Sequence, residues 1–111
     1  MGLFTGLLRL AYLKQEELTL EYRIQTLSAT KIQVADRAVN LVTIGSDLDP
    51  QSPEYKTMEA RREKLLLMEK KLDQELLRYQ TLLKAVSAEV QSAQKIVDNS
   101  IKRFFSYGGG S

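Results

Sequence analysis

The stretch that decides the fold covers residues 72–100 and reads LDQELLRYQTLLKAVSAEVQSAQKIVDNS. It contains neither glycine nor proline, and its apolar residues return every three or four positions. Alternating steps of three and four residues place Leu76, Tyr79 and Leu83 on one face of a helix. A repeat of this kind is typical of a coiled-coil helix and unlike the period of two that a strand shows. We therefore predict a long α-helix with one apolar seam.

The same repeat extends outward through both arms of the chain. Nine of twelve template positions are apolar in the first arm, and twelve of fifteen are apolar in the second, so both arms are expected to be long helices. We call these template positions the seam. In the first arm the seam comprises Leu3, Gly6, Leu10, Leu13, Glu17, Leu20, Ile24, Leu27, Lys31, Val34, Ala38 and Leu41. In the second arm it comprises Tyr55, Met58, Arg62, Leu65, Glu69, Leu72, Leu76, Tyr79, Leu83, Val86, Val90, Ala93, Val97, Ser100 and Phe104.

The arms are separated by the only internal cluster of turn formers, GSDLDPQSP at residues 45–53. Gly45 is predicted to end the first helix in the left-handed conformation that glycine tolerates. Asp49-Pro50 and Ser52-Pro53 each offer an N-cap followed by proline at the first helical position. A loop this short makes neighbouring helices antiparallel.

The predicted fold is therefore all-α, a single long antiparallel helical hairpin over residues 1–107 with the second helix longer than the first. The predicted boundaries are a helix at 3–44, a turn at 45–52, a helix at 53–106 and a flexible glycine-serine tail at 108–111. The turn residues named in this prediction are Gly45, Asp49, Pro50, Ser52 and Pro53.

The composition excludes most catalytic and metal chemistry. The 111 residues include no histidine and no cysteine, so zinc sites, thiol nucleophiles and histidine-based acid–base catalysis cannot be built from this chain. Carboxylate pairs such as Glu16 and Glu17 occur without any sign of a pocket that would separate their pKa values. We predict no enzyme, no catalytic residue, no cofactor and no metal site. The tyrosines, Tyr12 among them, are interpreted as packing residues with a polar tip.

Apolar residues outnumber what one seam can bury, and they concentrate at the two ends of the chain. If residue 43 pairs with residue 54, Leu3 lies near Lys95 and residues 96–105 project beyond the first helix. These exposed ends predict self-association, which runs on into a filament unless the rotation between copies closes a ring. The predicted self-association residues are Leu3, Phe4, Leu7, Leu8, Leu10, Leu13, Ile96, Val97, Ile101, Phe104 and Phe105.

Three features resemble the needle subunits of bacterial type III secretion systems and other small secreted helical-hairpin filament proteins. They are the Pro50-Gln51-Ser52-Pro53 turn, the Ser/Ala/Gln-rich residues 88–94, and the apolar C-terminal residues 95–105. The resemblance implies a structural subunit that assembles into a helical filament or tube, as in a bacterial secreted or surface appendage. It implies copies of the chain itself and a secretion chaperone as partners. It also implies an extracellular or cell-surface location without a cleavable signal peptide.

Two alternatives stay open at this point. The chain could be a coiled-coil adaptor or chaperone-like protein that forms a discrete oligomer, with a cytoplasmic location. Residues 3–13, with Arg9 and Lys14 as the basic residues, could instead lie in a membrane interface, although membrane contact is not favoured. Basic clusters such as Lys70-Lys71 are interleaved with acids, so no nucleic-acid partner is predicted. Asn40 and Lys31 could fix the register of the hairpin or extend into solvent.

Overall fold

The computed structural model describes the backbone of residues 2–109 and the side chains of residues 2–106. Helix α1 spans Leu3–Gly45 and helix α2 spans Pro53–Gly109, with no strand in the described range. The second helix has 57 residues against 43 in the first, and the two form an antiparallel hairpin. This confirms the all-α hairpin with a longer second helix.

Burial follows the seam closely. Every seam position of α1 is buried or half-buried, and so is every seam position of α2 except Phe104, which is 63% exposed. Apolar side chains one position away, such as Leu66 and Leu77, stay exposed. Because the seam repeats with the helical period, the same spacing that predicts the helices also decides which side chains leave water.

The chain divides into two units, of which the first combines Met1–Tyr22 with Tyr79–Ser111. We call it the terminal unit. Its core consists of the buried Leu10, Leu13, Ala93 and Val97. Leu3, Val90 and Ile101 are partly buried and pack against this core. Across the helices, the Ser87 hydroxyl donates a hydrogen bond of 2.7 Å to Oε2 of Glu17.

The register of the terminal unit differs from the prediction. A β-carbon at Gly6 would lie 3.4 Å from Cγ2 of Val97, so these two residues face each other. Val97 is only 2% exposed and Ile101 is partly buried against the core. The expectation that Leu3 lies near Lys95 is therefore wrong, and so is the expected lack of a partner at Val97 and Ile101. Residues 102–105 are exposed, as predicted. The prediction paired residue 43 with residue 54 across the turn, whereas Gly45 lies against Met58. The α1 residues therefore face α2 residues nearer to the C-terminus than predicted.

The second unit, the loop unit, spans Arg23–Arg78. Val34, Ala38, Met58 and Leu76 are its buried apolar residues. Lys31, a charged residue on the seam, forms an ion pair with Asp73 of the opposite helix. The hydrogen bond to Asp73, and then its negative charge, raise the pKa of Lys31. Lys31 therefore links the two helices.

The end of α1 does not use a left-handed residue. No glycine among the described residues has positive φ, so the conformation predicted for Gly45 is wrong. The helix end is satisfied by the Ser46 hydroxyl, which donates to the Thr43 carbonyl at 2.8 Å, and by Leu48 N–H, which donates to the Gly45 carbonyl at 3.1 Å. Gly45 is instead buried, and a β-carbon there would overlap the end of the Met58 side chain. A larger residue here would require the Met58 side chain to move.

Ser52 provides the N-cap of α2. Its hydroxyl accepts a hydrogen bond of 3.2 Å from Tyr55 N–H, which satisfies one of the unpaired donors of the first turn. Asp49 shapes the preceding turn, because its carboxylate accepts from Gln51 N–H at 3.0 Å and its carbonyl accepts from Ser52 N–H at 2.9 Å. Of the two proline motifs, Ser52-Pro53 begins the helix and Asp49-Pro50 forms the turn.

The C-terminal boundary lies later than the sequence pattern predicts. Helix α2 continues through Gly109, so residues 108 and 109 are helical where a flexible tail was expected. The last two residues of that predicted tail, 110 and 111, lie outside the described residues.

Shortening the most buried seam side chain tests the core. We expect Val97→Ala to lower the free energy of unfolding by about 1.5–2.5 kcal/mol, because two buried carbons are lost and a small cavity is left. Val39→Ala makes the same change at a side chain that is 63% exposed and should cost no more than about 0.5 kcal/mol. Urea unfolding followed by circular dichroism measures both values. Equal losses in the two variants would contradict this assignment of the core.

Removing the N-cap tests the start of α2. Ser52→Ala should lower the free energy of unfolding by about 1 kcal/mol, since the Tyr55 N–H loses its partner. Ser52→Thr retains the hydroxyl, and its free energy of unfolding should lie within about 0.5 kcal/mol of that of the parent in the same urea experiment. A threonine variant as unstable as the alanine variant would show that the hydroxyl is not the cap.

Candidate functional site

The eleven residues predicted for self-association do not share one environment. Leu10, Leu13 and Val97 belong to the core of the terminal unit and have no free surface to offer. Leu3 and Ile101 are half-buried beside that core. The exposed members are Phe4, Leu7, Leu8, Ile96, Phe104 and Phe105. The predicted set therefore mixes interior seam residues with exposed apolar side chains.

The five predicted turn residues also divide by environment. Gly45 is buried and Ser52 is half-buried, whereas Asp49, Pro50 and Pro53 are exposed. Their hydrogen bonds are the local ones that shape the turn and cap α2. We assign them a structural role.

A groove in the terminal unit combines an apolar floor with a polar wall. It encloses about 450 Å³. Its lining residues are Tyr12, Gln15, Glu16, Thr19 and Leu20 of α1 with Leu82 and Val86 of α2. We call it the acidic groove, because Glu16 is the one charged side chain among these lining residues.

Helical spacing explains the composition of the acidic groove. The α1 residues lie three, four, seven and eight positions from Tyr12, which places them on one helix face. Leu82 and Val86 lie four apart and present their side chains together on α2. Val86 and Leu20 are half-buried seam residues, whereas Leu82 is 45% exposed. The edge of the seam thus supplies the floor of the groove.

Tyr12 and Glu16 form the polar centre of the groove. The Tyr12 hydroxyl donates a hydrogen bond of 3.0 Å to Oε1 of Glu16. This bond, and then the negative charge of Glu16, raise the pKa of Tyr12 above 10.0. The tyrosine side chain is 63% exposed, so an aromatic surface and a carboxylate stand side by side. Such a pair suits a lysine or arginine side chain, which is attracted by both the ring face and the carboxylate.

The neighbouring carboxylate, Glu17, has a different role. It accepts the Ser87 hydroxyl across the hairpin and is half-buried. Of these two adjacent acids, Glu16 therefore faces the groove and Glu17 contacts the opposite helix. The described residues contain no group of acidic residues placed to hold a metal ion. They also include no helix with the length and apolar character needed to cross a membrane.

One comparison with known proteins finds a matching family model. Residues 63–110 match the family model described as the N-terminal histone-binding domain of inhibitor of growth proteins. The match covers less than half of the chain, and its described part lies entirely in α2. No curated protein and no solved structure matches the chain significantly. The matched family is described by what it binds.

This match overturns the functional interpretation of the sequence. The resemblance to type III secretion needle subunits is wrong, because the family found is a histone-binding one. The predicted filament subunit of a bacterial appendage is contradicted by the same match, and neither the adaptor nor the membrane-binding alternative is supported. Apolar helix faces and proline at a helix start follow from the physics of folding, so these features do not by themselves distinguish one family of helical hairpins from another.

The predicted partners and location are contradicted as well. The predicted partners were copies of the chain itself and a secretion chaperone, and both conflict with a match to a histone-binding family. The exclusion of nucleic acid conflicts with the match too, since DNA is wrapped around histones. An extracellular or cell-surface location conflicts with it for the same reason.

The sequence patterns also missed Tyr12 and Glu16 as a site. The signal was present in their spacing of four residues, at which a tyrosine and a glutamate on a helix can contact each other. Tyr12 was interpreted as a packing residue, yet it is exposed. The apolar half of the groove comes from α2, far away in sequence, so the groove could not be recognised before the register was known.

The Tyr12–Glu16 bond can be tested by titration. We expect Glu16→Gln to lower the Tyr12 pKa toward 10.0, since the acceptor loses its charge. Carbon-13 labelling of the tyrosine ring and a Tyr12→Phe spectrum for assignment allow the titration to be followed by NMR. Glu21→Gln removes an exposed carboxylate of the same helix and should leave the Tyr12 pKa unchanged. A Tyr12 pKa that does not move in Glu16→Gln would contradict the bond.

Proposed function

We propose that this chain is a histone-binding module whose acidic groove receives a basic segment of the histone. The observation that carries the proposal is the match of residues 63–110 to a family described by histone binding. The groove supplies a surface of suitable chemistry in the same part of the chain, since Leu82 and Val86 lie within the matched residues.

Both helices are needed for the proposed site. The matched residues provide the apolar floor, and α1 adds Tyr12 and Glu16 from outside the match. A fragment of α2 alone would therefore lack the acidic wall. The register set by Gly6 and Val97, and the bond between Ser87 and Glu17, belong to the same unit and hold the two walls together.

The chemistry of a histone segment fits the groove. Histones are rich in lysine and arginine, whose side chains combine an apolar stem with a cationic head. The stem can lie on Leu82 and Val86 while the head lies between the Tyr12 ring and the Glu16 carboxylate. One cation on an exposed aromatic ring contributes about 0.5–1 kcal/mol, so affinity for a long basic segment needs several such contacts.

The proposed activity is binding without catalysis. The acidic groove has a single carboxylate, and its neighbour Glu17 is engaged with Ser87. A general acid–base pair needs two groups whose environments push their pKa values apart. The groove therefore offers recognition of a cation and no reactive pair.

A binding experiment with matched variants tests the proposal. Purified core histones, and synthetic peptides covering their tails, are titrated into the labelled protein and followed by fluorescence anisotropy. Glu16→Lys should weaken binding by about tenfold or more, because attraction for the basic ligand is replaced by repulsion. Glu21→Lys makes the same charge change at an exposed position outside the groove lining and should stay within about twofold of the parent.

An uncharged substitution separates the contribution of the Tyr12 ring to binding from that of the Glu16 charge. Tyr12→Leu keeps an apolar side chain, removes the aromatic face, and should weaken binding about threefold, corresponding to one exposed cation–π contact. No histone binding by the parent protein would overturn the proposed function. Equal losses in Glu16→Lys and Glu21→Lys would show that binding responds to overall charge and not to the groove.

A further inference from the structure

A second groove lies in the loop unit and differs in charge from the first. It encloses about 560 Å³. Its lining residues are Arg37, Asn40, Leu41 and Ile44 of α1 with Arg61, Lys64, Leu65 and Met68 of α2. We call it the basic groove, because three of these lining residues are cations and none is acidic.

The three cations are free to meet a ligand. Among the described residues, Arg37, Arg61 and Lys64 take part in no ion pair and no hydrogen bond of their side chains. Two other cations of the same unit are engaged, since Arg62 lies 3.6 Å from Glu59 and Lys31 pairs with Asp73. Three unpaired like charges around one concavity repel one another and favour an anionic occupant.

The floor and walls of the basic groove are apolar. Leu41 and Leu65 are half-buried seam residues, whereas Ile44 is 66% exposed and Met68 is 48% exposed. Exposed apolar area of this kind favours a partner that covers it, and methionine adapts its shape to different surfaces. An occupant must therefore bring apolar groups together with negative charge.

We propose that the basic groove is a docking site for an acidic amphipathic helix of a partner protein. The apolar stripe of that helix packs on Leu41, Ile44, Leu65 and Met68, and its flanking carboxylates pair with Arg37, Arg61 and Lys64. Apolar anchors spaced three and four residues apart are the usual way in which a helix binds a groove. The arginines can hold carboxylates with two parallel hydrogen bonds.

Charge complementarity selects this occupant over the other candidates. A histone segment is basic and is repelled by the three cations, so this groove requires a partner different from that of the acidic groove. A nucleic-acid backbone would satisfy the cations but leave the four apolar side chains uncovered. A second copy of the chain would meet the three cations with three more unless it presented another surface.

The test uses two designed peptides of the same length. One carries leucines spaced three and four apart with glutamates on either side of the stripe, and the other replaces every glutamate with lysine. Both carry a fluorescent label, and anisotropy is measured at low and at physiological salt. We expect the glutamate peptide to bind at least about tenfold more tightly than the lysine peptide, with a preference that weakens as salt rises.

Variants of the protein locate the binding. Arg61→Glu and Lys64→Glu should each lower the affinity for the glutamate peptide by about tenfold, and the double variant should bind the lysine peptide more tightly than the glutamate peptide. Lys70→Glu is the matched control, because Lys70 is an exposed cation of the loop unit outside the groove lining. The affinity of this variant for the glutamate peptide should stay within about twofold of that of the parent. Unchanged helicity and unchanged histone binding in all four variants separate this result from misfolding and from the proposed function.

Four outcomes of the binding experiments would overturn the inference. They are the absence of peptide binding, equal binding of the two peptides, equal losses in Lys70→Glu and Arg61→Glu, and duplex DNA that binds more tightly than the glutamate peptide and displaces it. Sedimentation provides a further check. If the parent has twice the chain mass and Arg61→Glu restores the single mass, a second copy occupies the groove and the inference is wrong.

Discussion

Removal of the apolar seam from water is the interaction on which the rest of this protein depends. The hairpin has few fully buried side chains, and those that are buried lie on the seam. Two glycines lie at contacts between the helices, Gly6 against Val97 in the terminal unit and Gly45 against Met58 in the loop unit. No buried polar side chain among the described residues competes with this packing. The register is therefore set by apolar contact, with the Glu17–Ser87 and Lys31–Asp73 pairs as polar links across the hairpin.

Both grooves follow from the same seam. Its half-buried positions form the apolar floors, Leu20 and Val86 in one groove and Leu41 and Leu65 in the other. Residues beside the seam line the grooves and are exposed to solvent, so they determine the charge of each groove. The terminal unit offers a tyrosine and a carboxylate, whereas the loop unit offers three unpaired cations. A net charge of +2 conceals this separation of opposite charges into two sites.

The sequence could predict the helices, the turn and the buried face, because all three depend on local spacing and on the chemistry of neighbouring residues. Ser52 as the cap and the seam positions are examples. The register could not be predicted in this way, because it depends on where Gly45 meets Met58 across the turn. The acidic groove was missed for the same reason, since Glu16 and Leu82 approach each other only in the correct register. The functional resemblance failed because apolar ends and turn prolines serve folding in many unrelated hairpins.

The register of the terminal unit is the claim from which the proposed histone site follows, and NMR tests it without altering the chain. With selective methyl labelling, the account predicts nuclear Overhauser contacts from the Val97 methyl groups to the α-protons of Gly6, together with contacts to the methyl groups of the surrounding core leucines. Contacts of Leu3 with Lys95, and none between Val97 and Gly6, would instead establish the register expected from a tighter turn. That result would contradict the account, because the acidic groove would then not have the walls described.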